Sequence, residues 1–158
     1  MRIVLVGCGK QKADHPAEAR ELYTGSLFRM KRRYAEKRTR AKDDDWYIVS
    51  AKLGLLENDE TVAPYDMKMA DYRWFDRAAW PLVVAHELIN YLAYYHPTMD
   101  HSWMRKHVVI EILAGVDYYD RLSKVLRAIG FKVEIPMQGM AQGEQMAFLK
   151  QALEPQAA

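Results

Sequence analysis

Four short apolar runs alternate with stretches of helical spacing, and that alternation constrains the fold more than any other feature of the sequence. The runs are Ile3 to Gly7, Trp46 to Ser50, Val108 to Ala114 and Phe131 to Ile135, and Gly115 and Pro136 close the last two. The first two, almost wholly apolar, have the character of buried strands, and the last two carry Glu111 and the alternating Lys132 and Glu134 among their apolar residues. Leu22, Ser26 and Met30 follow helical spacing, with Gly25 marking a break and a second helix expected from Ser26 to about Arg40. Leu82, Ala85, Leu88, Ile89 and Leu92 share one face of a helix that starts at Trp74 or Pro81 and stops at Tyr95, ahead of Pro97. Asp117 to Ile129 reads as a helix with Asp117 as its N-cap and Gly130 after its end. A final helix from Gln142 turns Met146, Leu149 and Leu153 inward. Residues 51–71 show little periodicity and read as a long loop, a feature that is often functional in a compact domain.

Strands alternating with helices require crossover connections. The expected fold class is therefore α/β: a single three-layer domain, 1–153, with a mostly parallel sheet of about four strands flanked by helices. Residues 154–158 read as a flexible tail. At 158 residues the chain is long enough to bury a core. No apolar run approaches the length of a membrane span, and the first is too short for a signal peptide. The lone cysteine, Cys8, excludes an intrachain disulfide and suits a reducing compartment, so a cytoplasmic location is expected. A net charge of +2 does not by itself announce a nucleic-acid binder.

In parallel sheets ligands bind outside the carboxyl ends of the strands. Four segments fall there. Gly7-Cys8-Gly9-Lys10-Gln11-Lys12 offers glycines for close backbone approach and lysines for a phosphate or carboxylate, but lacks the spacing of a Walker loop. Cys8 beside these lysines reads either as a nucleophile or as a buried cysteine under a tight turn. Ser50-Ala51-Lys52-Leu53-Gly54-Leu55 follows the second strand, and Tyr65 with Asp66 could return from the loop to the same pocket. There a tyrosine stacks on a base and a carboxylate reads its edge, or the pair is a structural anchor. Gly115 permits close approach after the third strand. Gln138, Gly139 and Gly143 belong to a loop entering the last helix, where Glu144 either reads a polar edge or completes a cap.

Two further clusters have the right residue types. Arg29, Lys31, Arg32, Arg33, Lys37, Arg38, Arg40 and Lys42 make a dense basic stretch on the second helix. It could track a phosphate backbone, with Arg29, Arg32, Arg33 and Arg38 as contacts, or be a solvated face offset by Asp43, Asp44 and Asp45. His96, Asp100, His101 and His107 match no standard metal spacing and read as surface residues leading into a strand, so no metal is expected, and no cofactor motif is present.

The segments Val4 to Lys12, Glu21 to Phe28 and Ile48 to Leu55, with Ala63 to Asp66 and Gly139 to Leu149, resemble a small uncharacterised bacterial and phage domain family labelled as related to the peroxide-stress protein YaaA. A fainter similarity is to the core domain of archaeosine synthase, a tRNA deazapurine-modifying enzyme. That resemblance implies a site of Cys8, Lys10, Lys12, Ser50, Lys52, Gly54, Tyr65 and Asp66. These residues contain no counterpart of that enzyme's RNA-binding domains, so a free base, a nucleotide or DNA is expected as readily as tRNA.

The leading expectation is an enzyme acting on a nucleobase, nucleotide or modified base in nucleic acid, a transferase or glycosidase. Cys8, Lys10 and Lys52 would be its catalytic residues, and Tyr65 and Asp66 would orient the base. The rival is a non-catalytic DNA- or RNA-binding stress module that uses the basic helix over 29–42. A peroxide sensor ranks last, because no second cysteine could resolve an oxidised Cys8 within the chain.

Overall fold

Along Arg2–Gly7 every residue after the first is buried, and successive side chains enter opposite layers. In the computed structural model, which describes residues 1–155, this run is the central strand β1. The outer residues of the expected tail, 156–158, lie outside the described residues. The chain continues through β2 (Ala17–Glu18), α1 (Ala19–Leu22), α2 (Ser26–Arg38), β3 (Asp45–Ser50), β4 (Gly54–Glu57), β5 (Thr61–Val62) and α3 (Trp74–Tyr95). It ends with α4 (His101–His107), β6 (Val109–Leu113), α5 (Val116–Ile129), β7 (Lys132–Glu134) and α6 (Gln142–Leu153).

The main sheet has the order β4-β3-β1-β6-β7, parallel except for β4, which pairs antiparallel with β3. Ile3 and Leu5 of β1, with Tyr47 and Val49 of β3 and Ile110 and Ile112 of β6, pack against α3 and α5. Val4, Val6, Trp46 and Ile48 face the other way, against α2 and α6. The chain is thus a single three-layer α/β domain. β2 and β5 form a small antiparallel ribbon at the side.

Two elements stand where a loop and a strand entry were expected. Within 51–71, Leu55 and Leu56 are buried and pair with Val49 and Ile48, adding a fifth strand to the main sheet. The turn into β4 is held at Gly54, whose φ of 71° places it in the left-handed region, and a side chain there would overlap the Glu87 carboxylate. That carboxylate accepts the Leu55 amide at 2.8 Å. After Pro97, Asp100 accepts the Trp103 amide at 2.7 Å and so caps α4, where His107 stacks on Trp103. His101 and His107 are therefore helical. A third difference concerns α5, where Gly115 holds the N-cap position and Asp117 lies inside the first turn, favourable to the helix dipole. Among the described residues no helix is long and apolar enough to cross a membrane.

One charge is buried toward the amino-terminal end of the sheet. Glu111, 1% exposed on β6, receives Arg2 of β1 at 2.6 Å and Arg38 of α2 at 3.4 Å on the same oxygen. Arg2 also reaches Glu134 of β7 at 3.1 Å. The arrangement ties three strands and a helix together by two guanidiniums and two carboxylates. Removing a partner from such a buried pair leaves a poorly compensated charge, which costs several kcal/mol. Arg2→Ala is expected to lower the unfolding free energy by about 3 kcal/mol, read as a shifted urea midpoint with an unchanged slope. A loss well under 1 kcal/mol would show that Arg38 alone satisfies Glu111.

Candidate functional site

β1 ends where its neighbours' connections leave in opposite directions, since β3 and β6 lie on either side of it. That is the topological switch at which open α/β sheets bind ligands. The ladder runs one residue past the strand: the Cys8 amide donates to the Val49 carbonyl at 3.0 Å, which fixes the cysteine at the mouth. Gly7 is required by packing, because a side chain there would sit 2.9 Å from the Ala114 β-carbon at the end of β6.

Two cavities meet along Cys8, Gly9 and Lys10. The larger, about 450 Å³, is lined by that loop, by the first turn of α2 from Gly25 to Phe28, by Lys31 and by Gln142 at the start of α6. The smaller, about 130 Å³, is lined by Lys12, Asp66, Met67, Lys68 and Tyr118 together with the same loop. The half-buried Cys8 sulfur lies 3.5 Å from the Tyr118 hydroxyl. Tyr118 comes from the first turn of α5, and Trp80 of α3 packs edge-on against its ring at 5.4 Å. The Trp80 indole in turn donates to the Ser50 carbonyl at 2.9 Å.

Beside Cys8 a chain of hydroxyls fixes Tyr65. Its hydroxyl contacts Ser50 Oγ at 2.6 Å and Tyr23 Oη at 2.7 Å, and Ser50 Oγ also accepts the Leu53 amide. The Tyr65 ring then carries Lys12 Nζ at 4.4 Å and Lys52 Nζ at 5.6 Å from its centre, two cation–π contacts. Burial and the nearby Cys8 push the Tyr65 phenol up to about 12. The same causes raise Tyr118 further, and burial with the Tyr65 contact raises Tyr23. All three stay protonated at neutral pH and act as hydrogen-bonding groups, not bases.

Most of the residues expected from the sequence gather here: Gly7, Cys8, Gly9, Lys10, Lys12, Ser50, Lys52, Tyr65 and Asp66. Tyr65 has its hydroxyl committed internally and lysines against its ring, so it positions Lys12 and Lys52. Gly54 serves the β3–β4 turn. Gly115, Gln138, Gly139 and Gly143 line neither cavity; their segments contribute Tyr118 and Gln142 instead. Glu144 completes a cap by accepting the Ala141 amide at 2.6 Å. On α2, Arg32 is bound to Glu21 and Glu36, each at 2.7 Å, and Arg38 to Glu111, while Arg29 and Arg33 are exposed. Among the described residues no cluster of three or more His, Cys, Asp or Glu side chains could hold a metal.

The residue that pattern reading missed is Lys31. It belongs to the basic stretch of the sequence, yet it is 7% exposed and lines the larger cavity. It follows Phe28 by three residues and precedes Ala35 by four, both buried, so its helical spacing places it on the inward stripe. Burial pushes its amine down to about 8, with the nearby Cys8 acting in the other direction.

The family model described as a family of unknown function (DUF6884) matches residues 3–151. No curated protein and no solved structure matches the chain.

A lowered lysine means that between about pH 8 and the ordinary lysine value the unfolded chain holds more protons than the native one. Stability from this group therefore rises with pH across that window. Lys31→Met is expected to stabilise the free protein by roughly 0.5–2 kcal/mol at pH 7. The gain should shrink as pH climbs toward 10, measured as the difference between wild-type and variant urea curves. A destabilised variant at neutral pH would mean that the ammonium has an internal partner.

Proposed function

The chain belongs to this family of unknown function, DUF6884, and we propose from its own site that it is an enzyme acting on a nucleobase or nucleotide, a base-modifying transferase or glycosidase. The observation that carries the reading is the position of Cys8: a half-buried thiol at the sheet's switch point, shared by two cavities and facing the Tyr118 hydroxyl at 3.5 Å. The fainter motif resemblance to the archaeosine synthase core supports the same substrate class. A free thiol at a ligand mouth suits a reducing compartment, and cytoplasm is the proposed location.

In this reading Cys8, as thiolate, bonds to the carbon that carries the base. The bond from that carbon to nitrogen breaks, its electron pair leaving with the base, which takes up the proton the thiol gave to solvent. Water or an incoming base then forms the new bond to that carbon, loses a proton and displaces the sulfur as thiolate. Tyr118 donates a hydrogen bond to the sulfur. Lys12 and Lys52, held over Tyr65, and Lys10 at the loop supply positive charge around the leaving and entering groups. Asp66 reads the polar edge of the base in the smaller cavity. The engagement of Arg32 and Arg38 by carboxylates favours this reading over a nucleic-acid-binding helix.

The test is protection of Cys8 from iodoacetamide by a panel of bases, deazapurines, nucleosides and nucleotides, followed by thermal unfolding. A ligand at a hundred times its dissociation constant should add about 2.7 kcal/mol of stability and slow alkylation in proportion to occupancy. Cys8→Ala should retain that binding and lose turnover by roughly a thousandfold or more. The reading fails if no member of the panel protects the thiol, or if Cys8→Ala turns over at the wild-type rate.

A further inference from the structure

Lys31 carries an ammonium group with no ion-pair or hydrogen-bond partner among the described residues, although it is 7% exposed. Its helix neighbours are treated differently: Arg32 and Arg38 meet carboxylates, and Lys37 donates to the Ala152 carbonyl at 2.7 Å. Burying a charge without a partner is unfavourable, and a fold tolerates it where a ligand completes the site.

The cavity that Lys31 lines is built for a negative group. Gly25, the N-cap of the 13-residue helix α2, offers no side-chain cap, and the first intrahelical amide bond runs from Arg29 to the Gly25 carbonyl. The amides of Ser26, Leu27 and Phe28 therefore have no acceptor among the described residues, and all three residues line the cavity. Gln142, the first residue of α6, brings a second helix start to the same wall, and Lys10 stands on the opposite loop. No aspartate or glutamate lines this cavity. Two ammonium groups and the uncapped start of α2, with the start of α6 already offset by the Glu144 carboxylate, match a dianion better than a carboxylate, which would answer only one charge. At about 450 Å³ the space also admits the group that bears the anion, and it continues past Cys8 into the smaller cavity.

We propose that the larger cavity binds the phosphate monoester of a phosphorylated sugar or nucleoside, with Lys31 as its buried counter-charge. This deepens the nucleotide reading and rests on it for the rest of the ligand: the phosphate sits in the larger cavity, the base in the smaller, and the sugar passes Cys8. The substrate class is then a nucleoside 5′-monophosphate in preference to a free base.

The experiment is titration of wild type, Lys31→Met and Lys150→Met with inorganic phosphate, ribose 5-phosphate, nucleoside 5′-monophosphates and the matching nucleosides in phosphate-free buffer, read by calorimetry and thermal unfolding. Lys150 is exposed near the far end of α6 and controls for loss of one charge. Inorganic phosphate and ribose 5-phosphate should bind wild type and Lys150→Met alike, and bind Lys31→Met at least tenfold more weakly. On wild type, phosphate should also slow reductive methylation of Lys31 but not of Lys150, a readout that does not depend on the variant folding. Absence of any phosphate effect on wild type, equal affinity in Lys31→Met, or unprotected methylation of Lys31 would each overturn the site. Nucleosides that protect Cys8 while phosphate does nothing would sink the phosphate site and leave the base reading standing. Phosphate binding through Lys31, with nucleotides no better than ribose 5-phosphate and no base protecting Cys8, would uphold the site and sink the base reading.

Discussion

The parallel pairing of β1 with strands on both sides is the constraint on which the rest depends. A strand flanked in this way is buried on both faces and hydrogen-bonded along both edges, so its end is located to within a residue. The chain must leave it at a fixed height, against Ala114 on one side and the Val49 carbonyl on the other. Gly7 answers the first contact by having no side chain, and Cys8 answers the second with its amide. The thiol is thus placed by the sheet, and the loops around it need only be near.

The two ends of that sheet treat buried charge in opposite ways. At the amino-terminal end Glu111 has two guanidinium partners and holds strands and helix in register, at the cost of one oxygen left without a partner. At the carboxyl-terminal end Lys31 is nearly as deeply buried and has none. Desolvation acts on both. In the first case the Coulombic and hydrogen-bond return comes from inside the fold. In the second no partner is found among the described residues and the amine opens onto the cavity, so the native state carries the difference as lost stability unless the cavity is filled by a counter-charge. Sites that give up stability for function have this signature.

What the sequence made legible follows from the kind of physics each part obeys. β1 and β3 were visible as nearly unbroken apolar runs, β6 by the apolar residues on either side of Glu111, the edge strand β7 by its place between Gly130 and Pro136, and α3, α5 and α6 because one-sided burial leaves a 3.6-residue period. β4 was hidden. Leu55 and Leu56 are too few for a pattern, and an antiparallel return depends on a turn whose key neighbour, Glu87, is more than thirty positions away. The site was legible as far as strand ends reach, through Cys8, Lys10, Lys12, Ser50, Lys52 and Tyr65. Tyr118 and Gln142 stand three and four residues beyond the expected Gly115 and Gln138, an error in register and not in place. Lys31 was lost in a run of like residues. Its spacing from Phe28 and Ala35 was the available signal, and a run of cations suggests solvent before it suggests a stripe.

That same run bears on how the protein meets phosphate. A helix that tracks a nucleic-acid backbone needs several free cations in a row, each releasing a counterion and steepening the salt dependence. Here Arg32 and Arg38 are bound to carboxylates, Lys37 to a backbone carbonyl, and Lys31 points inward. Of the four arginines considered, only Arg29 and Arg33 remain exposed without a carboxylate partner among the described residues. With Arg40 and Lys42, exposed beyond the end of α2, the free contacts number four and give a salt slope of about −4 at most, and only two of them lie on the helix. The positive character of α2 is spent on the interior and at its amino-terminal end. That distribution fits one phosphate held at a point better than many held along a line.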